Sequence, residues 1–214
     1  MTAADRFPNL TVIGHPLILH KLTIMRQRQT GPVQFRQLLR EVSLLIGYEV
    51  TRDLPTVPLA IETPLTSMQA PTLGCPVTIV SILRAGLGMA EGLRELMPSA
   101  REGHIGLFRD PATKLPREYY VRLPDVLGRV LLLDPMLATG GSAVHAIRVL
   151  CERGAAPEDL RLVTLIAAPE GVEAVTRAYP ALPVYTAALD ERLDDHAYIV
   201  PGLGDAGDRQ FGTL

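Results

Sequence analysis

The sequence has little that would indicate a secreted, membrane-bound or zinc-binding protein. It contains two cysteines, Cys75 and Cys151, without a CxxC pair or a histidine-rich cluster, so neither a disulfide framework nor a zinc site is predicted. No stretch approaches the roughly 18 continuous apolar residues of a membrane span. Residues 1–10 lack the apolar segment of a signal peptide. We therefore expect buried thiols in a reducing, cytoplasmic compartment and no membrane contact.

The chain also lacks an excess of basic residues. Its formal net charge is -2, which argues against general nucleic-acid binding but leaves room for one local basic pocket. Apolar residues make up 47% of the chain, enough for a sizeable core, so disorder is not indicated. The length of 214 residues predicts one domain over 1–214, since domains commonly have about 150 residues.

Short apolar runs alternate with helical patterns through the middle of the chain. This alternation predicts an α/β fold, with a mainly parallel sheet flanked by helices. Residues 55–76 are predicted as extended connections and 109–125 as an exposed loop or hairpin arm. The predicted strands are 77–83, 104–108, 130–133, 162–168 and 184–189. The predicted helices are 35–46, capped by Thr30, then 89–96, a helix opening at Ser142 with its C-terminal cap at Gly154, and 172–178.

The segment 131–142 runs from a predicted strand through small residues into a predicted helix. Its run Thr139, Gly140, Gly141 and Ser142 can offer backbone N–H groups and hydroxyls to a phosphate at the helix N-terminus. A nucleoside-triphosphate P-loop is excluded, because Gly141 stands where the lysine of that motif would be. Taken alone, the run is equally compatible with an ordinary helix start capped by Thr139 or Ser142.

Asp134 makes a phosphate site the better interpretation. It stands at the end of a predicted parallel strand, the edge where α/β proteins bind ligands. A carboxylate beside a phosphate loop suits a ribose 5-phosphate, because it can accept hydrogen bonds from the ribose hydroxyls. It would also stabilise positive charge developing on the sugar ring.

The whole segment Asp134-Pro135-Met136-Leu137-Ala138-Thr139-Gly140-Gly141-Ser142 resembles the phosphoribosyl-diphosphate motif of the type I phosphoribosyltransferases. That family usually has two adjacent acids, and here Pro135 replaces the second. This form is similar to the uracil phosphoribosyltransferase branch, and matches at 15–18, 20–23 and 211–213 extend the resemblance over nearly the whole chain. The resemblance implies the type I fold with a β-arm or lid and a C-terminal base-binding loop. It also implies that all nine residues of the motif bind the donor.

Two arginines follow adjacent predicted strands. Arg84 and Arg109 stand at strand ends on the presumed ligand edge, where a guanidinium can grip a pair of diphosphate oxygens. The resemblance implies that both bind the diphosphate donor. Ser81 departs from the branch, which usually has proline there.

The stretch 198–209 is dense in glycine but also carries apolar residues, which a disordered tail seldom does. A loop of this kind can present backbone N–H and C=O groups to the carbonyls and N–H of uracil. The resemblance implies that Ile199, Gly204, Asp205 and Ala206 contact uracil and that Asp205 also reaches the donor. His15 and His20 are interpreted as structural, and His145 as solvent-facing.

The resemblance implies an enzyme of pyrimidine salvage that joins uracil to 5-phosphoribosyl 1-diphosphate, giving UMP and diphosphate. Asp134, Arg84 and Asp205 are the predicted catalytic residues, acting by positioning and electrostatics without a nucleophile. Mg²⁺ is expected to arrive on the diphosphate, with no dedicated metal-binding residues. The family forms homodimers or larger assemblies, and GTP activates part of it.

Two alternatives stay open. One is a phosphoribosyltransferase for another base, which the 202–207 loop disfavours. The other is an RNA-binding regulator built on the same fold, which the single-acid motif and the net charge of -2 disfavour.

Overall fold

A computed structural model of the chain describes residues 6–109 and 116–213, except for the side chains of Arg109 and Pro116. The strands, numbered in chain order, are β1 Leu10–Val12, β2 Thr56–Glu62, β3 Ser67–Leu73, β4 Val77–Leu83, β5 Arg101–Arg109, β6 Pro116–Arg122, β7 Arg129–Leu133, β8 Met136–Leu137, β9 Leu160–Ala167, β10 Val184–Leu189, β11 Arg192–Leu193 and β12 Ile199–Val200. The helices are α1 Pro16–Arg26, α2 Pro32–Val50, α3 Leu87–Leu96, α4 Gly141–Glu152, α5 Pro169–Ala178 and α6 Ala206–Phe211.

The central sheet confirms the predicted α/β fold. Its strands lie in the order β1-β10-β9-β7-β4-β5-β6, with β8 added beside β9. All neighbours are parallel except β6, which pairs antiparallel with β5 to form the predicted hairpin. The five strands predicted from apolar runs are β4, β5, β7, β9 and β10. No helix in the described ranges is long and apolar enough to cross a membrane.

Both faces of the sheet are buried, which explains why its strands are continuously apolar. On β7, Leu131 and Leu133 pack into a cluster with residues of α1, α2 and α3. Their neighbours Val130 and Leu132 pack into a second cluster with residues of α4 and α5. Successive side chains of a strand point to opposite faces, so this one strand supports both layers of helices.

The start of α2 differs from the prediction. The N-cap is Gly31, followed by Pro32 at the first helical position, where a missing N–H costs nothing. Thr30 does not cap this helix, because its hydroxyl donates to the carbonyl oxygen of Ile24 at 2.6 Å. Thr30 therefore closes the end of α1 instead.

Several elements at the two ends of the chain and outside the main sheet were not predicted as such. β2 and β3 form an exposed antiparallel hairpin, here called the arm, where the sequence indicated only extended connections.

The helix α1 was not predicted, although its start carries a local signal. The His15 side chain accepts a hydrogen bond from the backbone N–H of Leu17, which confirms the structural interpretation of His15, while His20 lies exposed on the same helix.

The helices α2 and α3 pack closely at Gly92, in the middle of α3. A Cβ atom at this position would lie 2.9 Å from the backbone nitrogen of Leu44 and closer still to the carbonyl oxygen of Arg40. Backbone atoms cannot rotate away as a side chain can. The contact therefore requires glycine, and it fixes α3, the helix that follows the loop carrying Arg84, against α2.

We expect Gly92→Ala to destabilise the protein. In an open helix the change would stabilise by up to about 1 kcal/mol through helix propensity, but overpacking a buried contact costs about 1–3 kcal/mol. Because the clash is with backbone atoms, we expect the upper end of this cost and a net loss of about 2 kcal/mol. The free energy of unfolding in urea measures it. Gly14→Ala is the matched control, because nothing lies within 4 Å of its added Cβ; an equal loss in both variants would contradict the packing argument.

Candidate active site

The predicted phosphate loop lies between the carboxyl end of β7 and the start of α4. Gly140, not Thr139 or Ser142, is the N-cap of α4, and no side chain caps this helix. The interpretation as an ordinary hydroxyl-capped helix start is therefore wrong. The first N–H groups of α4 have no partner within the helix, and with the helix dipole they form a site suited to an anion.

The conformation of the loop depends on Gly140 and on its contact with α5. Gly140 has φ +78, a left-handed conformation that side chains other than glycine rarely adopt. A Cβ there would lie 2.8 Å from the carbonyl oxygen of Gly171 in α5. The loop therefore packs directly against α5 at this position. The structure thus gives a physical reason for the first glycine of the Thr-Gly-Gly-Ser run.

The loop encloses a small cavity of about 80 Å³. Its lining brings together most of the motif predicted to bind the donor, including the strand-end acid. Pro135 is buried and is not part of the lining. The lining residues are Asp134, Met136, Leu137, Ala138, Thr139, Gly140, Ser142 and Ala143.

Asp134 has an unusual environment for a carboxylate. Burial raises the pKa of Asp134 to about 7, the hydrogen bond with the Met136 backbone opposes this rise, and the negative charge of Asp205 adds to it. Asp134 as a whole residue is partly buried, and it lines the cavity. Two predicted catalytic acids that are 71 residues apart in sequence therefore interact electrostatically in the fold.

Arg84 is directly after β4 and its side chain is 58% exposed. Its guanidinium lies 3.7 Å from the carboxylate of Asp208 and 5.4 Å from the centre of the Phe211 ring. Both partners belong to α6 or its end, so the C-terminal helix orients this arginine. The neighbouring Ser81 is buried within β4 and is not exposed to a ligand.

Arg109 ends β5, the parallel neighbour of β4. The backbone therefore confirms that Arg84 and Arg109 follow adjacent strands at one edge of the sheet. The side chain of Arg109 and residues 110–115, including Lys114, lie outside the described residues, so a role of this segment as a lid stays a prediction.

The C-terminal segment is an ordered loop and a short helix, not a flexible tail. Gly204 is exposed with φ +79, and Asp205 caps α6 by accepting the backbone N–H of Asp208 at 2.9 Å. The side chains of Ile199 and Ala206 are buried in the core. Their contact with a base would therefore use backbone groups, as the sequence prediction requires.

His145 corrects a sequence prediction. It was expected to face solvent, but its side chain is only 10% exposed and its Nε2 pairs with the carboxylate of Glu118 on β6. The guanidinium of Arg148 lies 3.2 Å from the other ring nitrogen. The apolar pattern of α4 could not show that His145 is largely shielded from solvent, because the strand that covers it is β6, which lies elsewhere in the sequence.

Sequence reasoning missed the residues that hold the C-terminal loop in place. Arg26, Asp190, Arg209 and Gln210 all bond to it or to the loop after β4. Their partners are up to 184 residues away, so no local pattern marks them.

The mainly parallel sheet, with an acid at a strand end followed by a glycine-rich helix start that no side chain caps, has the arrangement of the type I phosphoribosyltransferase fold. A family model described as uracil phosphoribosyltransferase matches residues 12–213. The chain belongs to the uracil phosphoribosyltransferase family.

Similar proteins match over nearly their whole length. The chain is 61% identical over 209 residues to the uracil phosphoribosyltransferase of Rhodospirillum centenum, covering 97% of each chain. It is 55% identical over 215 residues to that of Paraburkholderia phymatum, covering 100% of this chain and 99% of the relative. A solved structure of a protein from Aquifex aeolicus has a TM-score of 0.88 at 34% identity, covering 94% of this chain and 97% of that chain.

The raised pKa of Asp134 predicts that Asp134→Asn stabilises the free protein above neutral pH. Between about pH 4, the ordinary Asp value, and pH 7, the folded state holds a proton that the unfolded state has released, so stability falls by up to about 1.4 kcal/mol per pH unit. Asparagine removes this loss. The gain should be absent at pH 4, grow to pH 7 and stay constant above it.

Thermal and urea unfolding of both proteins from pH 4 to pH 8.5 would measure the difference. Asp195→Asn, at an exposed position, is the control and should follow the parent at every pH. A stability difference for Asp134→Asn that does not change with pH would show that the carboxylate is not held in its protonated form by burial.

Proposed function

We propose that this chain joins uracil to 5-phosphoribosyl 1-diphosphate in pyrimidine salvage, forming UMP and releasing diphosphate. The observation that carries the proposal is the position of Asp134 between the phosphate loop and Asp205 of the C-terminal loop. One acid at a strand end thus borders both an anion site and a candidate base site, as a nucleotide-forming enzyme requires.

The donor fits the site in three parts. The 5-phosphate binds the N–H groups of Thr139–Ser142 at the start of α4, where the helix dipole favours an anion. The ribose hydroxyls donate to Asp134. Arg84 and Arg109 hold the diphosphate from adjacent strand ends, Arg84 being exposed enough to reach it.

Catalysis needs no covalent intermediate with the protein. As diphosphate leaves, the sugar ring gains positive charge, and the base nitrogen captures the anomeric carbon. Asp134, with its free-enzyme pKa near 7, stabilises this charge when it is ionised, because a preorganised carboxylate in a buried site acts strongly on developing charge. Arg84 stabilises the opposite charge on the leaving group.

Mg²⁺ fits this site as a companion of the donor. Among residues 6–109 and 116–213 there is no group of three or more His, Cys, Asp or Glu side chains that could hold a metal by itself. Pro135 stands where related motifs have a second acid, so the motif offers Asp134 alone, with Asp205 close enough to act on it electrostatically. A site with so few acids suits an ion that keeps several waters and binds mainly to phosphate oxygens. The ion would supply positive charge to the leaving diphosphate.

The base site is the C-terminal loop, contacting uracil through Ile199, Gly204, Asp205 and Ala206. Gly204 is exposed while its neighbours are fixed by the cap of α6. A rigid backbone can present donors and an acceptor in the order that matches uracil. Cytosine has the opposite pattern at its N3 and C4 positions and would leave these groups unpaired.

We further propose a homodimer or larger homo-oligomer, located in the cytoplasm. The arm exposes a row of large apolar side chains, which in water favours burial against another chain. Cys75 and Cys151 are free thiols, as a reducing compartment favours, although they are partly exposed and not buried as the sequence predicted. GTP activation is carried over from part of the family. The exposed apolar residues of the arm are Val57, Leu59, Leu65, Met68 and Leu73.

A base screen tests the proposed function. With the donor and Mg²⁺, we expect UMP from uracil. The kcat/KM for cytosine should be lower by a factor of at least about 10⁴, since buried polar groups left without partners reduce specificity constants by that much. Hypoxanthine should not react. Turnover of cytosine or hypoxanthine comparable to uracil would contradict the assignment, and adding GTP to the same assay tests activation.

Gly204→Val tests the base loop. Valine would have to adopt φ near +79, which branched residues avoid, and would place a side chain where the backbone meets the base. We expect the KM for uracil to rise at least about tenfold, while donor affinity by calorimetry stays within about tenfold, or 1.4 kcal/mol. Unchanged binding of uracil and UMP would show that this loop is not the base site. Circular dichroism checks that the fold is kept.

A further inference from the structure

The candidate base loop is held by an ion pair between α1 and the end of β10. Arg26, in the last turn of α1, donates to both carboxylate oxygens of Asp190, at 2.6 and 2.8 Å. The same guanidinium donates to the carbonyl oxygen of Gly202 at 2.6 Å. Asp190 completes the arrangement by accepting the backbone N–H of Gly202 at 2.9 Å. Both backbone polar groups of Gly202 are therefore bound to one ion pair.

This ion pair is well shielded from water. The side chain of Asp190 is 5% exposed and that of Arg26 is 23% exposed. A buried carboxylate that loses its cation still carries the free-energy cost of leaving water, and no partner offsets this cost. Separating such a pair is therefore unfavourable, which keeps its geometry fixed. The planar guanidinium is also suited to a bidentate contact that a lysine ammonium cannot reproduce.

A second arginine holds the next residue of the loop. Arg209 of α6 donates to the carbonyl oxygen of Leu203 at 2.8 Å. It also donates to the carbonyl oxygens of Met25, Gln27 and Thr30, so the loop and the end of α1 are bound to one side chain. Its guanidinium lies over the buried ring of Phe35, 4.6 Å from the ring centre. Two consecutive carbonyl oxygens of the loop are thus fixed to the same end of α1.

The position of these bonds in the chain gives them a function. Gly202 and Leu203 come directly before Gly204–Ala206, whose backbone is assigned to the base. A displacement of Gly202 would move these backbone groups relative to the phosphate loop, which is held separately by α5. Loss of the ion pair would therefore misplace the base, while the phosphate loop, which has its own support, would stay in place.

We propose that Arg26 and Asp190 are positioning residues for base recognition, an inference that rests on the proposed function. They act through Gly202 and do not touch either substrate. A purely structural role would instead lower stability and affect both substrates alike.

Steady-state kinetics of Arg26→Lys and Asp190→Asn separate these two roles. We expect the KM for uracil to rise about 10- to 100-fold, because displacements of about 1 Å have effects of that size. The KM for the donor should stay within about threefold of the parent value. Such a change corresponds to less free energy than the roughly 1.4 kcal/mol of a tenfold change. The double variant should be no worse than the worse single variant, because residues that act as one unit are not additive. If Arg26→Lys does not fold, Asp190→Asn alone carries the test.

Lys21→Gln is the matched control. Lys21 lies on the same helix and pairs with Glu41 of α2 at 2.5 Å, but it does not bond to the loop. Its KM values should equal those of the parent. Equal changes for uracil and donor in Arg26→Lys, or a rise in the KM for uracil in Lys21→Gln, would overturn the proposal.

Gly204→Val in the same series distinguishes failure of this inference from failure of the proposed function. If Gly204→Val raises the KM for uracil and the Arg26 and Asp190 variants do not, only the positioning role is wrong. If Gly204→Val has no effect on uracil, the loop is not the base site and both proposals fail.

Discussion

The parallel pairing of β4, β5, β7 and β9 is the constraint on which the rest of the site depends. Parallel strands bring their carboxyl ends to one edge of a sheet, so segments that are far apart in sequence begin their loops side by side. The loop after β4 carries Arg84, β5 ends at Arg109, and the loop after β7 carries Asp134. The burial of both sheet faces stabilises this arrangement and leaves the edge as the place where polar groups can meet a ligand.

Asp134 shows that a side chain at this edge can lower the stability of the folded protein and still suit the candidate active site. Its carboxylate is partly withdrawn from water and lies near the charge of Asp205, which is why its pKa is raised to about 7. An acid held in this way lowers the stability of the folded protein. Under the proposed function, the same carboxylate would stabilise a sugar ring that becomes positive, since it is already in place and needs no reorganisation.

The C-terminal loop follows β12, which belongs to a separate two-stranded sheet and not to the main sheet. It is held by Asp190 at the end of β10 and by contacts with the N-terminal region of the chain. Arg26 and Arg209 bind the carbonyl oxygens of Gly202 and Leu203 to the end of α1. Gln210 of α6 also donates to the carbonyl oxygen of Ala85 at 2.9 Å, which joins the base loop to the loop of Arg84. The candidate base site and the diphosphate site are therefore connected through one short helix.

The sequence by itself determined five strands of the main sheet and the family, because these are encoded by local patterns: apolar runs and the motif 134–142. It also predicted a phosphate loop from the glycines at a strand end. It also indicated backbone recognition by the glycine-rich loop. It did not predict the cap at Gly140, the cover over His145 or the ion pair of Arg26 with Asp190. Each of these depends on which distant segment lies opposite, as Glu118 does for His145 and Asp190 for Arg26. Only the tertiary structure decided them, because a charged or polar side chain reveals its partner only when folding has buried the two together.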